Sequence, residues 1–283
     1  MSASVPFAWR AQRVHAAGVA LATFEAGSDA SDAPVVLLLH GLGHWSEGAW
    51  GAVVPRLDPT LRYVAFDLPG FGASAKPVAT YDTAFFHAVL DGLVAALGLE
   101  TFALVGHSLG GFVAAQYAGA EPQRVTRLAL LAPAGVSRAP RHVAYALAGA
   151  VVPWAFTRQP PAGVVRRTLA RSVADPAALA AADVERAVAL AQDPAVRRAF
   201  AAIYAGALGT FVRRRALHAH FARYRGPVWC GWGARDRFSS PRALRDVARI
   251  YPQAQTALFA RSGHLPMIEE PGAVAVALRA FLA

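Results

Sequence analysis

Gly106-His107-Ser108-Leu109-Gly110 places a serine between two glycines, after the apolar run Phe102–Val105 and before Gly111–Ala118, which reads as a helix. A serine hydroxyl is a poor nucleophile unless it is held exposed beside a base. A sharp strand-to-helix turn does the exposing, and flanking glycines remove the β-carbons that would clash there. The base expected for Ser108 is His264, in Ser262-Gly263-His264-Leu265-Pro266, just beyond a predicted strand ending at Phe259. The acid expected to orient that imidazole is Asp236, in Gly231-Trp232-Gly233-Ala234-Arg235-Asp236 after the preceding strand. Such an acid holds the imidazole tautomer and stabilises the imidazolium.

The rival carboxylates fit less well. Glu269 and Glu270 follow His264 closely and are read as opening the last helix, where they favour its dipole. Asp67, before Pro69-Gly70, is read as a turn residue. Donors for a developing oxyanion are expected in the backbone N–H of Leu109, next after the serine, and of Leu42, in His40-Gly41-Leu42-Gly43. His44 and Trp45 follow that loop and are candidates for lining a substrate pocket. His107 flanks the serine and is a third pocket candidate, although its ring is expected to turn from the point of attack, and His40 is expected to buttress the loop. His218 and His220 have no Asp, Glu or Cys at ligand spacing, so no metal site is expected.

These residues need a scaffold that brings strand ends together. Val35–Leu39 and Arg62–Phe66 read as buried strands, and Phe102–Val105, Arg127–Leu131, Pro227–Gly231 and Gln255–Phe259 as further strands of the same sheet. Trp9–His15 and Val19–Glu25 read as two more around a turn at Ala17-Gly18. Helices are expected at Trp50–Leu57, Tyr81–Leu97, Pro241–Ile250 and Pro271–Leu282. The alternation predicts an α/β fold, with a mostly parallel eight-stranded sheet and helices on both faces. Ser108, Asp236, His264 and Leu42 then all follow the C-terminal ends of strands, the edge where open α/β sheets bind ligands.

The alternation lapses between 136 and 225, an Ala- and Arg-rich stretch with proline at 140, 153, 160, 161, 176 and 194. It reads as four or five short helices inserted into the core. Residues 1–135 then form the first segment of the core, 136–225 a helical cap, and 226–283 the second segment of the core. The net charge of +10 resides in the inserted stretch: 14 Arg face 4 acids in 135–225, and the remaining 14 basic residues match 14 acids. Without aromatic interleaving or a known module, no nucleic-acid partner is expected. The excess charge instead suits anionic substrates or an acidic surface. No apolar run reaches the roughly 18–20 residues a membrane span needs, and the N-terminus lacks a secretion signal's apolar core, so a soluble cytoplasmic protein is expected. Cys230, the single cysteine, reads as a small buried hydrophobe.

His40-Gly41, Asp67 to Ser74, the turn at 106–110, Gly233 to Asp236 and Gly263-His264, in this order, resemble the α/β-hydrolase superfamily in its cap-bearing branch. The resemblance implies that no cofactor is needed and that the cap shapes an acyl or alcohol pocket over the nucleophile. Haloalkane dehalogenases and epoxide hydrolases of this branch carry Asp where Ser108 stands. Meta-cleavage-product hydrolases use Ser on anionic substrates but carry Trp where Leu265 stands. The segment Gly263 to Pro271 looks more like the esterases, lactonases and aminopeptidases. The expectation is therefore a serine hydrolase of carboxylic esters or related acyl substrates of small size. C–C bond or lactone hydrolysis of an anionic substrate, and a ligand receptor with little turnover, are the alternatives. Fold analogy alone does not choose among them.

Overall fold

The computed structural model describes residues 8–137 and 158–283. Prolines 140 and 153 of the inserted stretch lie outside the described residues.

Eight strands form one sheet: β1 (Arg10–Ala16), β2 (Val19–Gly27), β3 (Val35–Leu39), β4 (Arg62–Phe66), β5 (Phe102–His107), β6 (Val125–Leu131), β7 (Val228–Gly233) and β8 (Gln255–Phe259). Their spatial order is β1-β2-β4-β3-β5-β6-β7-β8. β1 and β2 run antiparallel to their neighbours, and every pairing from β4 onward is parallel. The two-residue periodicity of a strand sorts the continuous apolar runs onto two faces. Leu37, Leu39, Val64, Phe66, Leu104 and Leu128 enter one buried cluster; Val36, Leu38, Tyr63, Ala65, Val105 and Ala129 enter the other. Each Val, Leu or Phe among them contributes about 1.5–3 kcal/mol when fully buried, which stabilises the central strands. Cys230 is buried in the first cluster.

Helices cover both faces. On the first lie α2 (Thr83–Ala96), through Val89 and Leu93, and α3 (Leu109–Ala120), through Val113 and Tyr117. On the second lie α1 (Ser46–Trp50), through Trp50, and the C-terminal helix Pro271–Leu282, through Leu278 and Phe281. Several helix bounds differ from expectation: of Pro241–Ile250 only Leu244–Ile250 is α-helix, after a 3-10 turn at Pro241–Ala243, and two other differences have local reasons. The expected helix Trp50–Leu57 is instead α1, followed by a single 3-10 turn at Val54–Arg56. Gly51 closes α1 by donating to the Glu47 carbonyl, and Pro55 has no N–H with which to continue it. α2 starts two residues late because Asp82 caps it, its side chain accepting from Phe85 N–H at 2.9 Å, while Tyr81 takes a left-handed φ of 50°.

Between β6 and β7 the described residues form α4 (Ala162–Ser172), α5 (Ala181–Gln192), α6 (Pro194–Val212) and α7 (Arg214–Phe221). Pro194 opens α6, with Asp193 as its cap. The two histidines of α7 bind backbone: His218 Nε2 donates to Gly135 O at 3.0 Å and His220 Nε2 to Gln116 O at 2.8 Å, tying α7 to the core. After β7 come α8 (Leu244–Ile250), α9 (Pro266–Glu269) and α10 (Pro271–Leu282).

Candidate active site

Ser108 sits at the crossing from β5 to α3 with φ 50° and ψ −112°. Such a backbone costs a non-glycine residue of order 1–3 kcal/mol and persists only when its surroundings hold it. Here β6 holds it: Ser108 N–H donates to Leu131 O at 2.9 Å, and Ala134 N–H donates to Ser108 O at 3.0 Å. Close backbone approach explains the flanking glycines. A β-carbon on Gly106 would lie 2.4 Å from Gly110 O, and one on Gly110 would lie 2.5 Å from Leu39 O.

The turn delivers the Ser108 hydroxyl to His264. Ser108 Oγ donates to His264 Nε2 at 3.0 Å, and His264 Nδ1 donates to Asp236 Oδ2 at 2.7 Å. These partners fix the tautomer: the proton on Nδ1 faces the carboxylate, and the lone pair on Nε2 faces the hydroxyl. The Asp236 side chain is shut off from solvent, whereas that of His264 keeps 14% exposure toward the cavity. Burial pushes the Asp236 carboxyl up, but its hydrogen bond to His264 and the attraction of that ring, with the N–H groups of Ser239 and Phe238, outweigh burial and hold it below the usual carboxylate range.

Leu42 and Leu109 both border the same cavity as Ser108 and His264. Leu109 is the first residue of α3, where N–H groups have no intrahelical acceptor and the helix dipole is positive. The preceding loop is locked by His40 and Asp67, both fully buried. His40 Nδ1 donates to Gly41 O at 2.7 Å, and its Nε2 accepts from Leu68 N–H at 2.9 Å. Asp67 accepts from Ser46 N–H at 2.7 Å and from Ala73 N–H at 2.8 Å, so it joins two loops rather than serving one turn.

The other histidines are placed unevenly. His44 borders the cavity, its Nδ1 buried without a hydrogen-bond partner among the described residues. Burial, with the charges of His40 and His264 adding to it, lowers its pKa to about 3. Trp45 does not border this cavity. It is buried behind His44, stacked at 5.6 Å, with the Arg186 guanidinium 4.5 Å above its ring. His107 borders the cavity as a residue while its ring is buried, 4.9 Å from that of His264. Burial, with the charges of His264 and His44, holds its pKa well below the ordinary value.

The cavity has a volume of about 530 Å³. Its floor is the strand edge at Leu42, Ser108 and Leu109. Its roof is built by α4, α5 and α6 through residues such as Val165, Leu190 and Phe200. The lining is largely apolar, and among the described residues no group of three His, Cys, Asp or Glu side chains could hold a metal ion.

A family profile described as alpha/beta hydrolase fold matches residues 34–271, from β3 to the start of α10. The chain belongs to the alpha/beta hydrolase fold family. Among curated relatives of this hydrolase-fold chain, an uncharacterized protein of Mycobacterium tuberculosis is 40% identical over 109 residues, which cover 38% of this chain and 32% of that protein. The match therefore spans about a third of the length of the first curated relatives. A 2-hydroxymuconate semialdehyde hydrolase of Pseudomonas sp. (strain CF600) is 40% identical over 109 residues, 36% of this chain and 37% of that one. The crystal structure of a membrane phospholipase A superposes with a TM-score of 0.79 at 27% identity, over 97% of this chain and 86% of the other.

Several supports of this hydrolase-fold site escaped the sequence reading. Asp236 accepts four bonds besides that of His264: from Trp232 Nε1 at 3.1 Å, Ser239 Oγ at 3.0 Å, Phe238 N–H at 2.7 Å and Ser239 N–H at 2.9 Å. An Asp whose side chain binds backbone two and three residues on, as in Asp236-Arg237-Phe238-Ser239, carries a turn signal that could have shown two of them. Glu270 stands at the start of α10 as expected, but its side chain makes no cap hydrogen bond there, and Glu269 closes α9. Glu269 Oε2 accepts from Gly263 N–H at 2.6 Å and its Oε1 from Ala174 N–H at 2.5 Å, clamping the His264 loop to the end of α4. Glu270 accepts from Ser262 Oγ at 2.6 Å and Arg261 N–H at 3.0 Å.

Proposed function

We propose that this protein is a serine carboxylic-ester hydrolase working through Ser108, His264 and Asp236. The observation that carries this reading is the unbroken chain from Ser108 Oγ to His264 Nε2 at 3.0 Å and from His264 Nδ1 to Asp236 Oδ2 at 2.7 Å, opening on an apolar cavity. His264 Nε2 takes the hydroxyl proton as Ser108 Oγ attacks the substrate carbonyl. Charge then collects on the carbonyl oxygen, which the N–H groups of Leu42 and Leu109 receive; losing one such donor typically costs about 2.7–4 kcal/mol of transition-state stabilisation. His264, now an imidazolium held by Asp236, protonates the leaving alcohol. A water molecule, deprotonated by His264, attacks the acyl-serine and releases the acid.

In this reading α4 to α7, with the rest of 136–225, form a cap whose apolar roof packs on the acyl or alcohol part of a small-molecule substrate. His44 borders that substrate as a neutral ring, since burial opposes its protonation. The likeness to a phospholipase A, an ester-cleaving enzyme by its name, is in line with ester chemistry. A second reading, C–C bond hydrolysis, draws on the likeness to 2-hydroxymuconate semialdehyde hydrolase. Turnover of short p-nitrophenyl esters and of vinylogous 1,5-diketone acids by purified protein separates the two. Ser108→Ala abolishes turnover in either case while the protein stays folded by circular dichroism; retained turnover refutes the assignment of Ser108.

A further inference from the structure

Arg197 is the one Arg, Lys, Asp or Glu among the described residues that line the Ser108 cavity. It stands on α6 one turn before Phe200, whose ring meets Phe71 at 5.3 Å on the same cavity wall. Its Nη1 donates to the Gln192 carbonyl, but its Nε is buried without a hydrogen-bond partner among the described residues. It forms no ion pair with a described carboxylate, unlike other arginines of the segment: Arg166 pairs with Glu185 at 2.7 Å and Arg186 with Glu47 at 3.6 Å, both near solvent. Most of the residues that line the same cavity are apolar, among them Val196, Leu190 and Ile203.

A guanidinium next to apolar walls, with a buried donor left unmade, is costly unless a partner arrives. Its planar fork matches a carboxylate, and low dielectric strengthens that pair. One guanidinium balances one negative charge, and His44 and His107, which border the same cavity, are held neutral, so a monoanion fits better than a phosphate dianion. We infer that the substrate is an ester carrying a free carboxylate remote from the scissile carbonyl, as in a half-ester of a dicarboxylic acid, and that Arg197 anchors this carboxylate. The inference rests on the serine-hydrolase reading of Ser108 and adds the class of substrate.

The test compares mono-p-nitrophenyl adipate with p-nitrophenyl hexanoate, which differ only in a terminal carboxylate or methyl. Wild-type kcat/KM favours the acidic ester by about tenfold or more, the scale of a charge-assisted contact. Arg197→Met brings the acid-to-neutral ratio to about one, and Arg197→Lys, a charge without the fork, retains some of the preference. A wild-type ratio at or below one, or a ratio that Arg197→Met leaves standing, overturns the anchor and leaves Ser108 chemistry intact. If neither ester is turned over, the Ser108 reading fails by itself, and calorimetry on the Ser108→Ala protein decides the anchor. Tighter binding of monomethyl adipate than of methyl hexanoate, lost in Ser108→Ala/Arg197→Met, supports it; equal binding overturns it.

Discussion

Nε2 of His107 lies 2.9 Å from the backbone carbonyl of His264. A carbonyl only accepts, so Nε2 carries the proton, and the residue before Ser108 holds the loop that presents the proposed base. The two ends of the Ser108–His264 bond are therefore fixed to one another twice, once through side chains and once through this staple. His107→Ala leaves the His264 carbonyl unsatisfied in a closed site, which costs about 1–3 kcal/mol of stability. It also frees the imidazole to drift from Oγ. The expected result is a fall in kcat larger than any rise in KM, read from steady-state ester hydrolysis beside urea unfolding. An unchanged kcat at reduced stability would assign His107 to structure alone.

Asp236 is held by five donors and lies below the usual carboxylate range. Asp236→Asn places an amide where His264 Nδ1–H needs an acceptor and inverts the favoured tautomer, so kcat falls by about 10³–10⁴-fold. Ser239→Ala removes one neutral donor and costs about 1 kcal/mol, or roughly fivefold in rate. The depressed carboxyl contributes stability above its unfolded value of 3.8 and loses it as pH falls through the lower folded value. Acid unfolding below about pH 4 is accordingly steeper in the native protein than in Asp236→Asn.

The fold is legible where burial is two-sided. Val35–Leu39 and Arg62–Phe66, buried central strands, have the bounds expected, and so does the largely exposed edge strand Gln255–Phe259. That Ser108, Asp236 and His264 meet follows from their positions after parallel strands, because one sheet edge collects all such ends. The supports of these residues were hidden for a different reason. Glu269 reads as a helix-start carboxylate by chain position, yet the break at Leu265 turns it back onto Gly263 and Ala174, contacts that exist only in three dimensions. Arg197 is one of 14 arginines in 135–225, and which of them borders the cavity depends on how α6 is rotated against Phe71, not on composition. Trp45 reads as well as His44 for the pocket, but the cation–π contact with Arg186 keeps it behind.

Two buried histidines and one partly buried one near the site should make the protein acid-sensitive well above pH 4. His40, His44 and His107 all have pKa values lowered chiefly by burial, His44 to about 3. The unfolded chain binds protons at these rings near pH 6.5 while the native state refuses them. Stability is thus complete above 6.5 and is lost as pH falls toward the folded values, by up to about 1.4 kcal/mol per pH unit for each ring. Urea midpoints between pH 7 and 5 should fall, and His44→Phe should flatten the slope by up to one proton. A midpoint independent of pH over this range would contradict the burial of these rings in solution.

Ser108 carries strain that the proposed chemistry requires and stability does not. Its φ of 50° with ψ of −112° is open to glycine at little cost and disfavoured for any residue with a β-carbon. Ser108→Gly should therefore stabilise the fold by about 1–3 kcal/mol, less the roughly 0.5–1 kcal/mol by which glycine's freedom in the unfolded chain works against it. Ser108→Ala keeps the β-carbon and the strain, so the two inactive variants differ in melting temperature by a few degrees, Gly above Ala. Calorimetry of the pair isolates the backbone from the lost hydroxyl, since neither variant can bond to His264. Equal melting temperatures would mean that the turn between β5 and α3 relaxes in solution, and the exposure of the Ser108 hydroxyl would then need a source other than enforced backbone geometry.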